Sequence, residues 1–210
     1  MKYWLFILGL GATLPAFSKT PPPLKLYPPD SVIQGVPIKK HEGLVLLELD
    51  VDGTASSIEF SRVRVKDQSY LKPNQNLQTA PMTYTLNFMD KPAGFYFFKL
   101  PKGLYQVKRI KVPYFNLPFK LDTNNRRTWR FSVDSDQVNF IGRLEIEKER
   151  VERSVRVDLI NRIATKQSEI EQLIAPILKE FPLRNGVGVR DDFFSDLNKK
   201  VEASHETKLQ

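Results

Sequence analysis

An antiparallel β-sandwich followed by C-terminal α-helices is the fold class this sequence predicts, on three observations. Between Gly43 and Asn161, short runs of alternating apolar and polar residues are separated by turn-forming residues, as in half-buried strands stacked in two layers. From Ile163 onward the apolar spacing lengthens to that of a helix. With 210 residues, 41% of them apolar, there is material for one sizeable core.

The chain opens on an address. Lys2 supplies a positive start, Tyr3 to Leu14 is an uncharged apolar run, and Ala16-Phe17-Ser18 puts small residues at both positions a signal peptidase reads. Residues 1–18 are expected to be a secretory signal cleaved after Ser18. A spanning helix takes about 20 apolar residues, whereas Gly9, Gly11 and Pro15 interrupt this run, and no other segment is long and apolar enough to span a membrane. The sequence contains no cysteine, so neither lipid attachment nor a disulfide framework is expected. A periplasmic or secreted bacterial protein that relies on its core fits this best.

Lys and Arg number 32 against 24 Asp and Glu, a net +8, and loss of Lys2 with the signal leaves +7. In the cell envelope the anionic partners for such a chain are lipid phosphates, acidic polymers or an acidic protein. The address excludes nucleic acid.

Residues 19–42 read as a proline-rich linker, since Pro21, Pro22, Pro23, Pro28, Pro29 and Pro37 disfavour helix and central strand. Residues 43–161 read as the sandwich. Val45, Leu47, Leu49 and Val51 share one strand face, and Asp52-Gly53 turns the chain toward Ile58 and Phe60. Apolar parity switches between Phe60 and Val63, which predicts a bulge near Ser61 or Arg62. Tyr84, Leu86 and Phe88 form the next strand, and Gly94 to Leu100, apolar on both faces, reads as one covered from both sides. Pro101-Lys102-Gly103 turns into Leu104 to Val112, where Tyr105 and Val107 yield to Ile110 and Val112 with a second parity switch. Three more strands are expected at Trp129, Phe131 and Val133; at Val138, Phe140, Gly142, Leu144 and Ile146; and at Val155, Val157 and Leu159. Residues 162–202 read as helices packed on the sandwich. Ile163, Ile170, Leu173, Ile174, Ile177, Leu178 and Phe181 share a stripe that Pro176 should kink or split and Pro182 should end. Asp191 caps a second helix carrying Phe193, Phe194, Leu197 and Val201. Residues 203–210 read as a disordered tail.

The run Phe97-Phe98-Lys99-Leu100-Pro101-Lys102-Gly103-Leu104-Tyr105, then Phe131-Ser132-Val133 and Val138-Asn139-Phe140-Ile141-Gly142, resembles exported bacterial proteins of a domain-of-unknown-function family. Their leucine-proline-x-glycine-x-tyrosine turn also occurs in prealbumin-like and carboxypeptidase-regulatory-like sandwiches. The resemblance covers roughly Gly43 to Asn161 and implies an envelope location and a prealbumin-like or immunoglobulin-like β-sandwich, without assigned activity or catalytic residues. The turn itself has a physical reading: proline sets one backbone angle and glycine supplies a conformation other residues resist.

Three constellations carry candidate chemistry. Glu48, Asp50, Asp52, Gly53, Thr54, Ser56 and Glu59 approach the spacing of a calcium loop. The first ligand is glutamate, however, and the flanks read as strands where helices are required, so no metal is expected. The second is basic and aromatic: Lys108, Arg109, Lys111, Tyr114, Phe115, Lys120, Arg126, Arg127 and Trp129, with Phe119 and Arg130 in the same stretch. Guanidinium groups and rings together hold phosphates or sugars by charge-assisted hydrogen bonds and stacking, so these residues are the candidate ligand-binding set. A core role for the rings and solvation for the cations explains the same letters. The third is an enzyme reading. His41 and His205 lie beside the linker and in the tail, where neither serves a nucleophile. Carboxylates such as Asp50 and Asp52 would have to face each other across a cleft to hydrolyse a glycosidic bond. The expectation is a non-catalytic binding or assembly module without a cofactor; its rivals are a carboxylate-dependent hydrolase and a purely structural envelope subunit.

Overall fold

The structure is a computed structural model that describes residues 23–33, 35, 37–51, 56–64, 78–114, 117–124, 126–149 and 151–187. The expected signal, the Asp52-Gly53 turn, the second C-terminal helix and the tail lie outside the described residues. The chain is mainly β, arranged as two five-stranded sheets. One sheet contains β1 (Glu42–Val51), β4 (Gly94–Pro101), β8 (Val138–Glu149), β9 (Ser154–Ile160) and β10 (Leu183–Asn185). The other contains β2 (Ser57–Arg64), β3 (Gln78–Asn87), β5 (Gly103–Tyr114), β6 (Leu117–Asp122) and β7 (Arg130–Val133). Most pairs are antiparallel, but β8 runs parallel to both β1 and β10, so the first sheet is mixed.

Alternation decides which side chains meet between the sheets. Val45, Leu47, Leu49 and Val51 of β1 join Tyr96, Phe98 and Leu100 of β4 and the inward residues of β2, β3, β5 and β7 in one core. At its centre, Phe60, Tyr105 and Phe131 pack with ring centroids 5.2 to 5.9 Å apart, distances at which edge-to-face and offset aromatic contacts are favourable. The opposite face of the first sheet has its own core: Leu44, Leu46, Phe97, Val138 and Phe140 are covered by Val32 of α1 (Pro29–Ile33) and by Ile170 and Ile174 of α2 (Ile163–Ile174). Phe97 and Phe98 therefore point into different cores, as the doubly apolar run requires.

Of the two expected parity switches, the one on β5 is a bulge on that strand, whereas β2 pairs with β5 without a break from Phe60 to Val63. On β5 the surplus residue is Lys108, because Glu59 pairs with Arg109 while Phe60 pairs with Val107. Near Ser61 the shift lies in the pairing of β2 with β3, where two steps on β2 span four on β3; the surplus residues are on β3, not at Arg62. A third switch was hidden. Val138 and Phe140 face the helices, yet Leu144 and Ile146 face the other sheet, so β8 does not keep the single face expected of it. Gly142, at φ 110°, and an extra residue on β8 relative to β1 reverse the faces.

The proline-rich stretch is not a free linker from Leu24 onward. The Leu24 amide donates to Thr85 O of β3, and Tyr27 exchanges two backbone hydrogen bonds with Phe97 of β4, all at 2.8 Å. Leu26 between them enters the core. The strap thus joins one terminal strand of each sheet. Opposite it, Gly186 accepts from Ser132 N at 2.7 Å and donates to Phe140 O at 2.8 Å, tying β7 to β8.

Two further elements differ from expectation. Trp129 belongs to a 3-10 turn, Arg127–Trp129, and the strand begins at Arg130. The long helix stops at Ile174, because Pro176 cannot donate to Gln172 O; Ala175 N takes that carbonyl at 3.4 Å and Ile177 N follows with Ile174 O at 2.9 Å. Gly103 also differs, having no positive φ. Its lack of a side chain leaves room for Arg62, whose Nη2 donates to Lys102 O at 2.6 Å.

Candidate functional site

The basic and aromatic stretch divides among three environments. Arg109, Lys111 and Lys120 lie on the outer face of the second sheet, where Lys111 pairs with Lys120 and Arg109 with Asp122 across the β5–β6 ladder. Glu59 on β2 ion-pairs with Lys111 and, at 3.6 Å, with Arg109. These two cations therefore share one carboxylate. Trp129 is buried at 6% exposure within the inter-sheet core, which removes it from any ligand; burying a ring of that size is the stronger use of it. Tyr114 closes β5 opposite Leu117, and Phe115 lies outside the described residues. Arg126 and Arg127 are exposed and have no carboxylate partner among the described residues.

A residue that the sequence reading passed over organises this end of the sheet. Gln106, 3% exposed, directs its amide nitrogen at four carbonyls: Val107 at 2.9 Å, Thr123 at 3.0 Å, and Arg126 and Trp129 at 3.3 Å each. Its carbonyl accepts from Arg130 Nε at 2.8 Å. Thr123 adds two bonds, its hydroxyl to Val107 O at 2.7 Å and its amide to Lys108 O at 2.9 Å. The bulge at Lys108 and the turn carrying Arg126 and Arg127 are thus fastened to one buried amide. Buried polar groups of this kind are tolerated only when fully bonded, so the turn is held in a defined shape. Arg130 is itself 3% exposed, and its Nη1 and Nη2 have no hydrogen-bond partner among the described residues. Burial, and then the charge of Arg127, lower its pKa.

The outer face of the first sheet carries a separate ionic network. Arg143 on β8 pairs with Glu48 at 3.2 Å, with Asp50, and with Glu145 at 2.9 Å. Lys166 from α2 approaches Glu48 at 3.9 Å and Arg162 approaches Glu145 at 4.0 Å, so the network fastens the helix to the sheet. Glu48 is 7% exposed; its burial raises its pKa against the attraction of Arg143 and Lys166. Beyond the network lies an open groove of about 780 Å³ lined by Asp50, Glu147, Glu149, Glu152, Lys148 and Arg156.

This arrangement bears on the rival readings. Glu48 and Asp50, the first ligands of the calcium spacing, are engaged by Arg143, and strands flank the segment. Among the described residues no cluster suits a metal ion, and no helix is long and apolar enough to cross a membrane. A hydrolytic pair would place a carboxylate of raised pKa across the groove from a second one. Glu48 instead lies outside the groove lining, tied to Arg143 beside α2. No protein-family model matches this chain, and no curated protein matches it.

Proposed function

We propose that this protein is an exported, non-catalytic binding or assembly module of the bacterial cell envelope, recognising an anionic or protein partner through the edge between Lys108 and Arg130. The fold reading that goes with it is a prealbumin-like or immunoglobulin-like β-sandwich, supported by two sheets that share one core. One observation carries the functional reading: Gln106 fixes a turn that presents Arg126 and Arg127 to solvent without carboxylate partners among the described residues. A pre-shaped cationic turn keeps more of its interaction energy on binding than a floppy one, because less ordering remains to be done.

The test is co-sedimentation of the exported protein with native envelope fractions at low and high salt, beside the double variant Arg126→Glu/Arg127→Glu. Retention lost both at high salt and in the double variant is the expected result, since the screening length falls from about 30 Å at 10 mM salt to about 3 Å at 1 M. Unchanged retention in the variant would overturn the assignment of the edge.

A further inference from the structure

We propose that Arg130 and Arg127 together grip one phosphate group, a deepening that rests on reading the Lys108–Arg130 edge as the binding surface. Arg130 is the reason. A buried guanidinium in a native protein finds acceptors for its terminal nitrogens, because each unpaired donor carries its full desolvation cost. Here Nε is committed to Gln106, while Nη1 and Nη2 have no partner among the described residues. Arg127 opens the 3-10 turn that Arg130 caps, its carbonyl accepting from Arg130 N, and no ion pair to a described carboxylate offsets either cation. The missing component is an anion with several acceptor oxygens.

The chemistry narrows that anion. With Nε used, the outer edge of Arg130 offers only its two terminal nitrogens, and Arg127 adds a second fork. A carboxylate brings two oxygens and one charge. A phosphate monoester brings three oxygens and between about one and a half and two charges, which matches two guanidinium groups in both donors and charge. The turn that precedes Arg130 presents Arg126, Arg127 and Thr128 to solvent. The carbonyls of Arg126 and Trp129 that hold this turn make the two longest of the four Gln106 contacts, 3.3 Å each.

The experiment titrates the exported protein with inorganic phosphate against chloride at constant ionic strength, following the melting temperature and binding heat. In parallel, the protein is floated with phosphatidylglycerol or phosphatidylcholine vesicles. A saturating rise in melting temperature is expected, with affinity about tenfold weaker in Arg127→Gln through loss of a charge-assisted pair and unchanged in Lys179→Gln on the far face. Arg130→Lys, which keeps the charge without the fork, should also weaken binding. Phosphate binding without flotation would identify a soluble phosphate source, and Arg127-dependent flotation with phosphatidylglycerol alone would identify a lipid headgroup. No phosphate response, or equal effects of Arg127→Gln and Lys179→Gln, would overturn the proposal. If envelope retention still depends on Arg126 and Arg127 in that case, the phosphate site alone fails; if retention is lost as well, the edge fails with it.

Discussion

The hydroxyl of Tyr105 donates to the carbonyl oxygen of Pro101 at 2.6 Å, four residues back across the turn between β4 and β5. Tyr96 makes the same reach to Pro92 at 3.0 Å. Both lie in a Pro-x-Gly-x-Tyr sequence, Pro92 to Tyr96 and Pro101 to Tyr105, so one local device opens two successive strands. Each lets a large ring enter the core while its polar end is satisfied by the turn that precedes it.

Tyr105→Phe is expected to destabilise the protein by about 1–3 kcal/mol, because it leaves a carbonyl unpaired beside a fully buried ring. Tyr96→Phe should cost less, its ring being 7% exposed and its bond longer. Urea unfolding of both variants checks the order. Burial also pushes the Tyr105 phenol far above its ordinary pKa of 10.0, so its ionisation should appear in an absorbance titration only as the protein unfolds.

Gly142→Ala should be more damaging than its small size suggests. The residue has φ 110°, and an added Cβ would stand 2.8 Å from Ile160 O of the neighbouring strand. Strain and collision together are expected to cost about 2–4 kcal/mol. Gly35→Ala, at φ 103° with open space around it, isolates the backbone component and should cost about 1 kcal/mol. Equal effects in thermal melts would mean that the close approach to Ile160 plays no part.

The bulges at Lys108 and Gly142 show why some of the fold was legible and some was not. At Lys108 the flanking Val107 and Ile110 are apolar, so the change of parity is written in the residues. At Gly142 the switch is masked, because Phe140 and Leu144 keep the same parity in sequence while a glycine without a side chain reverses their faces. The strap of Leu24 to Tyr27 was hidden too, since the prolines on either side of it, Pro21 to Pro23 and Pro28-Pro29, read as a linker and only the free edges of β3 and β4 make it structural. At the candidate site, the exposed Arg126 and Arg127 were readable as letters. Gln106 was not: a polar residue beside Tyr105 and Val107 reads as an outward strand position, and nothing local marks it as the hub of a turn 17 to 23 residues away. Trp129 was readable only as a ring that either binds or packs.

Gln106→Leu tests that hub. It strips four carbonyl contacts and leaves Arg130 Nε without its acceptor, so a loss of about 2–4 kcal/mol is expected. If the amide also shapes the binding turn, envelope retention should fall at temperatures where the variant is fully folded, even though Arg126 and Arg127 are intact. Full retention by the folded variant would separate the turn's shape from its charge.

Glu48 makes stability depend on pH in an uncommon direction for a carboxylate with two cationic neighbours. Its folded pKa is raised above the ordinary 4.5 because burial outweighs Arg143 and Lys166. Between those two values the folded state holds the proton more tightly than the unfolded chain, so this group's contribution to stability falls as pH rises through that window. Glu48→Gln should flatten the dependence there and be as stable as the native protein, or more so, at neutral pH. A clear loss of stability at pH 7 in chemical denaturation would show instead that the ion pairs dominate.

Glu59 offers a gain-of-function test of the basic edge. It is 19% exposed and engages both Lys111 and Arg109; Glu59→Gln releases two cations on the same sheet as the turn without adding any. Exposed pairs contribute only about 0–1 kcal/mol to stability, so folding should change little while low-salt retention on envelope fractions rises. Glu180→Gln, an exposed position after α2, changes net charge by the same amount on the opposite side. Retention that rises for Glu59→Gln and stays level for Glu180→Gln places the attraction on the second sheet. An equal rise for both would reduce it to the net charge of the whole chain, since long-range fields do not distinguish one face from another.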